Sequence, residues 1–115
     1  MNPERRIYPR IHVELPAEVE ASTGETADVT VLNLSVGGLL VEGGVELAGL
    51  KPPVEGVPLE LKLHFGLGDE AVHCHCRVVY NQRLSQFKHR FGLTVLSMDQ
   101  SAIQHLQAFI ESRLK

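Results

Sequence analysis

"HVELPAEVEA", His12 to Ala21, alternates without a break: Val13, Leu15, Ala17, Val19 and Ala21 fall on one side, and His12, Glu14, Glu18 and Glu20 on the other. Successive strand residues point to opposite faces, so this is the pattern of a strand with one face buried and one wet. The same period recurs along most of the chain. After a turn at Ser22–Gly24 it resumes through Ala27, Val29 and Val31 as far as "NLSVGG", Asn33 to Gly38, and a short strand Leu39–Glu42 comes next. Leu59, Leu61, Leu63 and Phe65 form another strand, closed by "GLGD". Val72, Cys74, Cys76, Val78 and Tyr80 line the inner face of a longer one, opposite His73, His75, Arg77 and Asn81. The last strand runs from about Phe87 to Leu96, with Phe91, Leu93 and Val95 inward. Between Gly43 and Pro58 the Gly- and Pro-rich sequence predicts no regular element.

Past Met98 the period changes. Ile103, Leu106, Ile110 and Leu114 recur at helical spacing, Asp99 or Ser97 can cap the start, and no Gly or Pro interrupts, which predicts a helix over about 98–114. The pattern is therefore all-β with one C-terminal helix. Short strands at regular spacing favour a six-stranded antiparallel β-barrel with the helix covering one end or packing beside it.

At 115 residues there is material for one core. With 43% apolar and 22% charged residues the chain is expected to be globular rather than disordered. It divides into an arginine-rich N-terminal arm, residues 1–11, and a barrel domain, 12–115. No apolar run is long enough to span a membrane and no hydrophobic signal core stands at the N-terminus. Cys74 and Cys76 lie too close together for a useful disulfide, so reduced thiols and a cytoplasmic setting are expected.

Charge is unevenly placed. The net value is −3, yet residues 1–10 carry Arg5, Arg6 and Arg10 against Glu4, a local +2 that leaves −5 on the rest. An acidic body repels a long nucleic acid, whose affinity scales with the phosphates neutralised, and a small ligand with one or two phosphates suits the patch better. Pro9 has no amide donor and disfavours a helical Tyr8, so Arg6 to Arg10 is extended or turned. Guanidinium groups fork onto phosphate and onto the O6 and N7 edge of guanine, and stack on bases. Three on one arm can hold a guanine nucleotide; the alternative is a solvated basic tail. In "NLSVGG", Asn33 and Ser35 are in phase, and Gly37 and Gly38 allow positive φ and a close backbone approach to a ligand. The alternative there is a plain turn between strands.

Together the two segments are more specific than either. Arg6-xxx-Arg10 followed by Asn33-x-Ser35-x-x-Gly38, on six strands and a helix, resembles the PilZ family, and the closing "FGLTVLSMDQSAIQHLQAFI", Phe91 to Ile110, is similar to that family's final strand and helix. The resemblance implies a receptor for the second messenger cyclic di-GMP. Carried over, Arg6 and Arg10 contact guanine edges and phosphates, Asn33 bonds a guanine edge, Ser35 supports these contacts, and Gly38 leaves room for the ligand. Arg5 matches the position where an arginine accompanies an intercalated ligand pair. Gly37 and Arg77 are additional candidates, with a surface ion pair as the alternative for Arg77. Asn33 stands where Asp is commoner, which removes a charge. The resemblance further implies output through an unidentified downstream protein, from a monomer or weak homodimer, in motility or biofilm control.

Two other readings exist. One is a PilZ-fold adaptor in pilus or flagellar machinery that binds no nucleotide. The other rests on "HCHC", His73 to Cys76: on a strand the histidines and cysteines face opposite ways and cannot share a metal, but His64 joining His73 and His75 on the polar face would make a three-imidazole site. No nucleophile, base and orienter set and no phosphate loop stands out, so no enzymatic activity and no cofactor are expected.

Overall fold

The computed structural model describes residues 9–114. Six antiparallel strands close into a barrel in the order β1-β2-β3-β6-β5-β4: β1 Ile11–Ala21, β2 Thr26–Leu34, β3 Gly38–Gly43, β4 Glu60–Leu67, β5 Glu70–Ser85 and β6 Lys88–Met98. A one-turn helix α1, Val45–Ala48, comes after β3, and α2, Gln100–Leu114, begins directly after Asp99 at the end of β6. The expected barrel and terminal helix are thus present. Among the described residues no helix is long and apolar enough to cross a membrane.

Alternation in the sequence becomes the inside and outside of the barrel. Val19, Val31, Leu34, Val41, Leu61, Leu63 and Val72 are buried, while Glu14, Glu18, Lys62 and His73 face outward. Burial of this branched aliphatic surface is the main drive for closure. From α2, Leu106 and Ile110 enter the core, and the His105 ring Nε2–H donates to the Leu67 carbonyl at 2.7 Å, tying the helix to the end of β4.

Cys74 and Cys76 lie inside, as the strand phase requires, with their Sγ atoms 3.6 Å apart. That sulfur contact and burial both push the Cys76 thiol above its ordinary range. Thiolate is therefore scarce at Cys76, whereas the same contact pulls the Cys74 thiol down against the effect of burial, and it is enclosure in the barrel that keeps both sulfurs from reagents. A water-soluble disulfide reagent is expected to label neither cysteine in the native protein, at a rate at least about 100-fold below that of the unfolded chain; rapid native labelling would show that the inner face of β5 opens.

Two expectations need correction. The Gly43–Pro58 connection does contain a regular element, α1, whose Leu47 is buried with the nearby Leu50. One helical turn is too short to print a readable period. Tyr80 does not continue the inner face of β5: a register shift between Val78 and Tyr80 breaks the alternation, and the ring, 51% exposed, lies over Gly92 on β6. A bulge inserts one extra residue and re-aims the side chains beyond it. Gly37 and Gly38, which the sequence reading allows positive φ, do not use it; only Gly24, Gly56 and Gly68 do so among the described residues.

Candidate functional site

The β2–β3 turn is built by one buried hydroxyl. Ser35 Oγ accepts from the N–H groups of Gly37, at 3.2 Å, and Gly38, at 3.0 Å, and donates to the Gly38 carbonyl at 3.1 Å. The Ser35 N–H donates to that same carbonyl at 2.9 Å. Across the sheet, the Val95 N–H donates to the Gly37 carbonyl at 3.0 Å, joined by the Thr94 hydroxyl at 3.4 Å. Ser35 is 3% exposed and its hydrogen-bonding capacity is filled, so in this arrangement it shapes the turn and does not face outward. The glycine at 38 has a steric reason: a Cβ there would sit 2.8 Å from the Leu93 carbonyl oxygen. Close approach is thus real, but it is made by strand β6.

Beside this turn the structure brings Arg10 and Asn33 to one region. Arg10 immediately precedes β1, whose Ile11 pairs with Leu34 and whose His12 pairs with Asn33. Its Nη2 lies 3.8 Å from where a Gly38 Cβ would stand, so the guanidinium hangs over the start of β3. Asn33 Oδ1 is buried and has no hydrogen-bond partner among the described residues. An orphaned buried acceptor costs about 1–3 kcal/mol, which makes this atom the one poorly satisfied side-chain polar group of the site among the described residues. Arg5 and Arg6 fall outside the described residues.

Arg77 belongs to the same band of the barrel. Gly38 pairs with Thr94, Thr94 with Arg77, and Arg77 with Glu60, a row across β3, β6, β5 and β4. For Arg77 it is the ion pair that forms: Nη2 lies 3.7 Å from Glu60 Oε2, with both side chains well exposed. Such a pair is weak and exchangeable. Thr94 is not a candidate from the sequence; its place between Gly38 and Arg77 depends on long-range register, which has no local signal.

The histidines do not form the three-imidazole site. His64 and His73 meet, Nδ1 to Nδ1 at 2.7 Å, and Glu20 lies 3.4 Å from His64 Nε2. His75 instead turns its Nε2 to Glu60 at 3.0 Å. No cluster of three or more metal-ligating side chains occurs among the described residues.

These features define a small closed barrel whose outer face, not its interior, carries the candidate site. The chain belongs to the PilZ domain family, whose sequence profile matches residues 4–112. PilZ domains are receptor or adaptor domains. Solved structures agree on the fold. The Bacillus subtilis inhibitor of motility MotI/DgrA superposes with a TM-score of 0.71 at 20% identity, covering 96% of this chain and 52% of that one. The PilZ domain of YcgR from Escherichia coli, solved with c-di-GMP, gives 0.66 at 18% identity, over 95% and 91% of the two chains. The PilZ domain of CeSA from a cellulose-synthesizing bacterium gives 0.61 at 16%, over 93% and 99%. The chain thus spans about half the length of the motility inhibitor. No curated protein sequence matches it.

Proposed function

We propose that the protein is a cyclic di-GMP receptor whose N-terminal arginine arm closes over the β2–β3 turn and thereby changes an interaction with a partner protein. The observation that carries this reading is the pairing of Arg10 over Gly38 with the orphaned acceptor Asn33 Oδ1. The two are complementary to guanine: its N1–H and N2–H groups donate to an amide oxygen, and its O6 and N7 accept a guanidinium fork. Arg6, four residues before Arg10, supplies a second cation for the phosphates, and Arg5 a third. Ser35 acts indirectly, by holding Gly37 and Gly38 in place. The c-di-GMP in the YcgR structure supports the ligand assignment by family likeness. Ligand ordering of the arm would expose or hide a surface, which is how a domain of this size passes on a signal.

Calorimetric titration with cyclic di-GMP is the test. The parent is expected to bind, and Arg10→Ala to bind about 10- to 100-fold more weakly, the worth of one bidentate guanidinium contact. A fitted stoichiometry of two nucleotides per protomer would assign Arg5 to the second. An Arg6→Ala, Arg10→Ala variant that bound as tightly as the parent would end the proposal, and an absence of binding by the parent would favour an adaptor that acts through protein contacts alone.

A further inference from the structure

The long β5 strand outruns its neighbour. Its pairing with β4 ends where Arg77 faces Glu60, and the Val78 N–H still reaches the Leu59 carbonyl at 2.9 Å. From Val79 to Ser85 the strand pairs with β6 alone among the described residues. A two-stranded ribbon therefore projects from the barrel with one edge open, and an open edge presents backbone donors and acceptors to any extended chain. Along that edge runs a groove of ≈ 520 Å³, lined by Lys51, Pro52, Val57, Val79, Tyr80 and Arg83 among others. Val79, Tyr80, Leu84 and Phe87 are all exposed, Phe87 to 70%.

Charge decides what suits this edge. Residues 77–90 contain Arg77, Arg83, Lys88 and Arg90 and no acidic residue, a local +4 on a chain of net −3. Arg77 and Arg90 are paired with Glu60 and Glu42, whereas Arg83 and Lys88 are exposed toward the ribbon's tip. Edge-to-edge pairing with a second copy would set one cationic ribbon against another, and like charges directly opposed are destabilising. An acidic strand meets no such penalty. We propose that the open edge of β5, Val79 to Ser85, is a docking strand for an extended, acidic segment of a partner protein. The segment's main chain completes the ladder, and because Tyr80 and Arg83 lie on opposite faces of the ribbon, its alternate apolar side chains fall on the face of Tyr80 and the intervening carboxylates on the face of Arg83. This goes beyond the receptor reading and does not depend on it, because Arg10, Asn33 and Gly38 do not line the groove.

The test uses the full chain, isotopically labelled for amide NMR, and a capped peptide of alternating valine and glutamate as long as the open edge. Amide shifts concentrated in Val79–Ser85 are expected. Charge reversal with Arg83→Glu and Lys88→Glu, both at exposed positions that leave the barrel intact, is expected to weaken binding at least about tenfold. The valine-lysine counterpart, and a peptide N-methylated at every residue so that it cannot donate to a ladder, are expected to lose binding. Undiminished binding of the N-methylated peptide would overturn the proposal. So would shifts confined to other surfaces, a peptide-free dimer formed through the same edge, or binding of anionic phospholipid vesicles through Phe87 by a protein that ignores the peptide. Cyclic di-GMP titration of the charge-reversed variant is expected to match the parent, so failure here and failure of the receptor reading give different patterns.

Discussion

Gly38→Val is expected to lower the thermal midpoint by roughly 10 °C and to abolish cyclic di-GMP binding. At this position even a single Cβ would stand 2.8 Å from the Leu93 carbonyl oxygen, well inside contact distance. Neither side can give way cheaply. Gly38 is held by the Ser35 hydroxyl and peptide bonds, and Leu93 is fixed between Leu39 and Val78 in the sheet. Overpacking against backbone costs about 1–3 kcal/mol, and a valine stands at the upper end. In a domain of this length about 2–3 kcal/mol corresponds to a shift of that size. The binding loss arises because separating β3 from β6 moves the turn under Arg10. Gly66→Ala provides the comparison: nothing lies within 4 Å of its Cβ, so it is expected to melt within a degree or two of the parent. Circular dichroism melts of the two variants check the claim, and a Gly38→Val protein that melts with the parent would refute it.

Asn33→Leu is expected to move stability and function in opposite directions. Leucine keeps the number and branching of side-chain heavy atoms, though its methyl groups are bulkier, and the buried Oδ1, unpartnered among the described residues, disappears. Removing an unsatisfied acceptor in favour of an apolar group stabilises by about 1–2 kcal/mol. If that oxygen is the acceptor for a guanine N–H, cyclic di-GMP affinity falls at least about tenfold in the same variant. A chemical denaturation curve and a titration on one sample decide it. Equal or lower stability would mean that the amide is satisfied in solution, and unchanged affinity would remove Asn33 from the site. A strained or unsatisfied group retained at a binding site is the familiar exchange of stability for function.

The period-two pattern makes most of the barrel legible, because a one-residue error would put whole rows of side chains on the wrong face. On β5 it sorts the cysteines inward and the histidines outward, as the structure has them. It fails at Tyr80, where a bulge shifts the phase and no residue type announces it. Polar residues of the candidate turn are legible by identity and not by role. Asn33 is expected to present an amide, yet its orphaned oxygen depends on what does not approach it, a property of the packed state. Ser35 is expected to support the ligand contacts, and its hydroxyl is committed to Gly37 and Gly38, a role in shaping the turn that the residue type alone does not reveal. Gly38 is expected to admit a ligand, and a second demand on it, from a strand 55 positions along the chain, is invisible in the sequence. Contacts between distant segments carry no local trace. The cationic ribbon beyond Arg77 is hidden for the same reason: its charges are visible in the sequence, but the open edge they flank exists only once β4 has ended beside β5.

Closure of the barrel constrains how the molecule can respond to anything it binds. Its strands are bonded around the full ring, and Val19, Val31, Leu63 and Val72 fill the interior without exposure. Such a body is stiff, since a filled interior has no second packing arrangement close in energy. A message received on one side therefore does not travel through the middle. It is written and read on the skin: in which segment lies over which strand, and in which charges are covered. The barrel serves as a fixed page, and the ribbon beyond Arg77 is a margin left open for writing.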